Sequence, residues 1–193
     1  MSNSSNASPP RSIFGLGVIG CVGYATHAGY HILNGTPQDT IWICHISALL
    51  VGVALMIGSA RLNAAGLLCL TVGFPMWVLY LFSGEPFIWT SPLTHVLGLV
   101  VAIIGARKLG GVPPYTWTIA LGFVALLMVA ARLFTASEAN VNLAFGPMSG
   151  LSLWAFDGIA HWTLQLASWA IALFVLDWIW RRMLGPSTKI GLS

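Results

Sequence analysis

Residues 40–60 read TIWICHISALLVGVALMIGSA and are closed by Arg61. The stretch holds no Asp, Glu, Lys or Arg. It is as long as the roughly 20 apolar residues that cross a bilayer as a helix. Cys44 and His45 stand side by side near its start. Five further runs of the same kind fall at 12–33, 63–82, 91–106, from Pro113-Pro114 to 134, and 153–180. The run at 91–106 is the shortest of the six.

The totals agree with this reading. The 193 residues are 57% hydrophobic and 7% charged, whereas a soluble domain carries about 25% charged residues. Such a chain cannot cover a water-facing surface, and lipid is its natural solvent. The expected fold is all-α: a polytopic membrane protein built as a six-transmembrane-helix bundle. One domain spans 12–182, between tails at 1–11 and 183–193. The first tail is polar and ends in Pro9-Pro10, which predicts disorder. The first run lacks a small-residue cleavage site and reads as a retained helix.

Charge sets the orientation. With six crossings, Arg11, Arg61, Arg107, Lys108, Arg181, Arg182 and Lys189 share one side, and only Arg132 is left over. The positive-inside rule makes that side cytoplasmic, with both termini on it, in a multi-pass protein of the cell membrane. Asp39, Glu85, Glu138 and Asp157 fall toward the other side, and Asp177 stands four residues before Arg181, at helical pairing distance. The formal charge of +3 thus serves topology, and no nucleic-acid partner is expected. Trp42, Trp89 and Trp154 near outer ends, with Trp117, Trp178 and Trp180 near inner ends, form interfacial belts.

The three cysteines, Cys21, Cys44 and Cys69, lie in apolar runs without a CxxC spacing, so no disulfide framework is expected. Cys21 and Cys69 read as small buried hydrophobes. Cys44 has an adjacent histidine and a helix start, the two features that favour a thiolate. A plain packing role accounts for it equally well.

All five histidines fall in the outer halves of their runs: His27, His31, His45, His95 and His161. At about 1.5 Å rise per residue they lie within roughly 12 Å of the outer boundary. His27 and His31 share a helical face with the small-residue stripe Gly17, Gly20 and Gly23, which favours close helix packing. Ser91, His95, Gly98 and Ala102 form a similar stripe. Asp157, His161, Gln165 and Ser168 form a polar one that should face the bundle interior or a wet cavity. Asp157, one turn from His161, is placed to orient its imidazole. Arg132 has Glu138 and Asp157 as candidate partners, or snorkels to the surface. Structural readings stand beside these: His31 bonding the loop, His27 bonding a carbonyl, and His95 and His161 joining helices by hydrogen bonds. The connection at 135–152 is the longest and is placed to cap the outer mouth.

The order ICHISALLV, then SPLTHVLGLV, resembles the YwaF-like six-helix integral membrane family and its transmembrane acyltransferase relatives. It is more distantly similar to the androgen-induced-gene type of intramembrane hydrolases. The resemblance implies acyl hydrolysis or transfer on membrane lipids, with Cys44 as nucleophile and His95 as base. In that scheme Asp157, His161, Gln165 and Arg132 form a supporting polar site. The additional histidines depart from the family pattern and suit a metal ion or haem held by His27, His45, His95 and His161. A third expectation is an accessory subunit of a larger respiratory or photosynthetic membrane complex. Cys44 and His45 point about 100° apart on a helix. Cys44 turned inward favours acyl chemistry, and His45 turned inward favours a ligand site.

Overall fold

The computed structural model describes residues 9–82, 84, 86–146 and 158–185. Among them the chain is helical, without strands. The helices are α1 (Arg11–Leu33), α2 (Ile43–Met56), α3 (Ala60–Leu81), α4 (Gly98–Lys108), α5 (Thr116–Phe134) and α6 (Ile159–Leu184). Four of them, α1, α3, α5 and α6, are long and apolar enough to cross a membrane.

The second run forms less helix than its composition predicts. α2 has 14 residues, about 21 Å at 1.5 Å per residue. Residues at its start are diverted into a 3₁₀ turn, Pro37–Ile41, nucleated by Pro37 at its first position. At its end, Gly58 with φ 71° makes the tight turn into α3, where the Ser59 side chain accepts from the Leu62 N–H. The fourth run opens with a π turn, Leu93–Leu97, and passes directly into α4. π turns are rare single-turn insertions that concentrate at functional sites. α6 continues to Leu184, beyond the expected end at 180.

α2 and α3 occupy the centre: α2 packs on α1 and α3, and α3 reaches α4, α5 and α6. One apolar cluster joins Val51, Leu55, Leu67, Leu70 and Val101, and a second joins Leu68, Cys69, Val124, Met128 and Leu173. Outward faces stay apolar, as at Val22, Leu126, Leu133, Ile171 and Phe174, which suits lipid. Asp177 and Arg181 pair as the spacing predicts, Oδ2 to Nε 2.8 Å. All three cysteines are free thiols.

Glycine contacts set the register of the helices. A Cβ on Gly17 would meet the Gly52 carbonyl at 2.6 Å, and one on Gly20 would meet Gly52 Cα at 3.2 Å. α1 and α2 therefore touch backbone to backbone. In antiparallel helices, a step of seven residues from Gly20 to His27 and of seven from Gly52 back to His45 is two turns each way. His27 and His45 are thereby brought level. A Cβ on Gly98 would likewise meet Ala48 Cβ at 3.1 Å, and three residues back along each helix stand His95 and His45.

Candidate metal centre

The imidazoles meet where these contacts place them. His27 Nε2 lies 3.1 Å from His45 Nε2. Ring centroids are 4.3 Å apart for His27 and His45, 4.7 Å for His27 and His31, and 5.4 Å for His45 and His95. All four rings are buried, with His27 1% exposed. One ligand nitrogen from each of His27, His31 and His45 lies within 4.8 Å of the other two. Cys44, His45 and His95 form a second such group, sharing His45.

The partners of the other ring nitrogens decide which lone pairs are free. His45 Nδ1 lies 2.7 Å from the Asp39 carbonyl, and His95 Nδ1 lies 3.0 Å from the Ser91 carbonyl. A carbonyl only accepts, so each Nδ1 donates and each Nε2 keeps its lone pair. His31 Nδ1 is 2.8 Å from Thr36 Oγ1 and 3.6 Å from Asp39 Oδ2. Its Nε2 is buried without a hydrogen-bond partner. His27 Nδ1 is 2.7 Å from Thr90 Oγ1, a hydroxyl that donates or accepts as required. With His27 protonated on Nε2, the two facing nitrogens share one proton. With His27 protonated on Nδ1, both lone pairs face the same point. An imidazole that donates its second nitrogen to a carbonyl, carboxylate or hydroxyl is the arrangement that fixes a metal ligand's tautomer and orientation.

Three elements hold these rings. The Pro37–Ile41 turn supplies Asp39, whose carbonyl holds His45 and whose carboxylate stands by His31 and accepts from Trp42 Nε1 at 3.2 Å. Thr90 and Ser91 precede the π turn that carries His95. Trp77 on α3 stacks on His95, centroids 5.0 Å apart and planes within 10°. A cleft of about 220 Å³ opens beside the cluster, lined by Tyr30, His31, Asn34, Thr36 and Asp39 among others. Asp39 and the TPQDT segment carried a signal, a carboxylate between two histidine runs. Trp77 carried none that spacing reveals.

His161 stands apart from this cluster. Its Nε2 donates to the Leu143 carbonyl at 2.9 Å. Gln165 Nε2 donates to the Asn142 carbonyl at 2.8 Å, and Trp162 Nε1 and Arg132 Nη1 both donate to the Ala144 carbonyl, at 2.9 and 3.0 Å. His161 and Gln165 of the α6 stripe thus clasp the segment after α5 instead of lining the histidine site, and Ser168, expected to face the interior, is exposed and donates to the Leu164 carbonyl of its own helix. The reason is local: Asn142 and Leu143 have φ of 58° and 55°, and carbonyls turned out of a helical ladder need other donors. Asn142 then accepts from the Ile43 N–H at 2.7 Å and donates to the Ile41 carbonyl at 3.0 Å, tying this segment to the start of α2. Arg132 finds the Ala144 carbonyl and the Phe145 ring, with Cζ 5.2 Å from the ring centroid, while Glu138 accepts from Ser137 Oγ. Asp157, Trp154 and the last part of the connection, 147–152, lie outside the described residues.

Cys44 is half-buried and faces α3, where a Cβ on Gly73 would meet its Cβ at 3.0 Å. His45 is the more buried of the pair, and both reach His95: one ligand atom from each of the three lies within 4.8 Å of the other two. Comparisons of the chain with protein-family models, with curated proteins and with solved structures find no match.

Proposed function

We propose that this is an integral membrane protein that binds a transition-metal ion through His27, His31 and His45. The observation that carries the reading is the buried, unpartnered Nε2 of His31, whose ring brings a nitrogen within 4.8 Å of His27 and His45, where two Nε2 atoms face each other. A buried ring nitrogen without a partner costs about 1–3 kcal/mol, and an ion removes that cost. Ligands about 2.0 Å from an ion stand about 3.3 Å apart in tetrahedral and about 3.5 Å apart in trigonal geometry, near the 3.1 Å found between His27 and His45. Imidazole suits copper, zinc, iron and nickel. The rings touch edge to face, which leaves no slot for a porphyrin plane, so a bare ion fits better than haem.

The topology that accompanies this reading has six crossings, with α2 and the π turn plus α4 as its short members and both termini cytoplasmic. The charge distribution supports it, and the site then opens toward the outer face. The test is elemental analysis of protein purified in detergent. About one ion per chain is expected in the wild type, and loss of it is expected in His45→Ala. A metal-free wild type after growth with added copper, zinc and iron would overturn the proposal.

A second reading rests on one observation, the approach of Cys44 Sγ and a His95 nitrogen within 4.8 Å. In it His95 takes the thiol proton, Cys44 attacks a lipid ester carbonyl to form a thioester, and the alcohol leaves with the proton returned by His95. Labelling by a thiol-reactive lipid probe that survives both Cys44→Ala and His95→Ala would remove it.

A further inference from the structure

We infer that the ion is copper in its monovalent state; this rests on the metal-binding reading above. The argument starts from charge. The three donors are imidazoles, which ligate as neutral groups. Among the described residues the carboxylate in contact with these histidines is Asp39, and it stands behind His31, 3.6 Å from Nδ1. It is a charge-compensating neighbour, not a ligand. His27, His31 and His45 are 1%, 4% and 6% exposed, so the ion sits in a medium of low polarity. The cost of placing an ion there grows with the square of its charge, so a divalent ion costs about four times what a monovalent one does. One carboxylate balances one positive charge. A divalent ion would keep an uncompensated charge against the apolar interior.

Coordination number permits the same ion: three imidazoles with a water also hold catalytic zinc, so charge is what separates the two. Structural zinc takes four ligands, and catalytic zinc takes three plus water. Here His27, His31 and His45 make one group of three, while His95 groups with His45 and Cys44 instead. His45 has a single free lone pair, because Nδ1 is committed to the Asp39 carbonyl. The two groups therefore cannot both be filled. Monovalent copper has a filled d shell and is satisfied by three nitrogen donors in a plane. Trp77, stacked on His95, keeps that ring's face closed toward α3.

The test uses full-length protein in lipid nanodiscs, stripped with chelator and loaded without oxygen. Copper(I) is supplied as its acetonitrile complex against a bathocuproine competitor, and zinc(II) and copper(II) chlorides are tested in parallel. One copper(I) per chain is expected, held at least about tenfold more tightly than either divalent ion, with an X-ray absorption spectrum fitted by nitrogen neighbours alone. Binding should be lost in His27→Ala and in His45→Ala, with insertion checked by protein yield and helical circular dichroism. Equal or tighter zinc(II) or copper(II) binding that still depends on His45 would overturn copper(I) and keep the metal centre. A sulfur neighbour in the spectrum would overturn the three-imidazole ligand set, since it would bring in Cys44. Failure of all three metals to bind would overturn the metal centre itself.

Discussion

His27 on α1 and His45 on α2 face each other through Nε2 at 3.1 Å, and the contact is set two turns away by Gly20 packing on Gly52. Small residues at a helix interface let backbones approach closely. Here that approach lets two short, stiff side chains meet across it. The histidine site is in this sense built by glycines.

Gly52→Val tests that dependence. A Cβ at Gly52 would meet Cys21 Sγ at 2.6 Å and the Cys21 backbone nitrogen at 2.8 Å. The helices must move apart, at a cost of about 1–3 kcal/mol. The expected outcome is a lower melting temperature together with reduced metal retention. Gly15→Val, at a position with open space around it, should change neither.

Thr90 is expected to act as a positioning residue for His27, since its hydroxyl holds Nδ1 at 2.7 Å. Loss of such a partner weakens metal binding by about 10–100-fold. Thr90→Val should show that loss in a competition titration, and Thr90→Ser should restore most of the affinity. Equal affinity in wild type and Thr90→Val would show that the hydroxyl does not orient the ring.

Metal retention should fall as pH is lowered. An imidazole must be deprotonated to ligate, so each ligand that binds the ion excludes a proton. Affinity therefore rises with pH and is lost on acidification. Equilibrium dialysis from about pH 8 down to about pH 3, with helical circular dichroism at each step, reads the slope. An ion kept at the acid end by protein that is still folded would point to donors other than histidine.

Asn142 and His161 are expected to affect stability and leave the ion in place. Asn142→Ala removes the bonds to Ile43 and Ile41 and leaves buried backbone groups unpaired, at a cost of about 1–3 kcal/mol. His161→Ala frees the Leu143 carbonyl. Both should lower the melting temperature, while His161→Ala retains wild-type metal stoichiometry. Loss of the ion in His161→Ala with an unchanged melting temperature would place His161 back among the ligands.

The sequence by itself determined the solvent, the helical class and the end of the bundle where histidines gather. Each follows from quantities that add along the chain: apolar run length, charge placement and rise per residue. It also held the glycine stripe of α1 and the pairing of Asp177 with Arg181, which are periodic within one helix. The tertiary structure alone decided which histidines meet. His31 joins His27 and His45 because the Pro37–Ile41 turn folds Asp39 back over both helix ends. His161 is drawn away by carbonyls that the left-handed residues Asn142 and Leu143 turn outward. Both outcomes depend on backbone conformation in connections between helices, where no periodic pattern exists to be read. The rotation of α2 was of the same kind: Cys44 and His45 stand about 100° apart on the helix, yet the contact of Gly52 with α1 sets a rotation at which both reach His95.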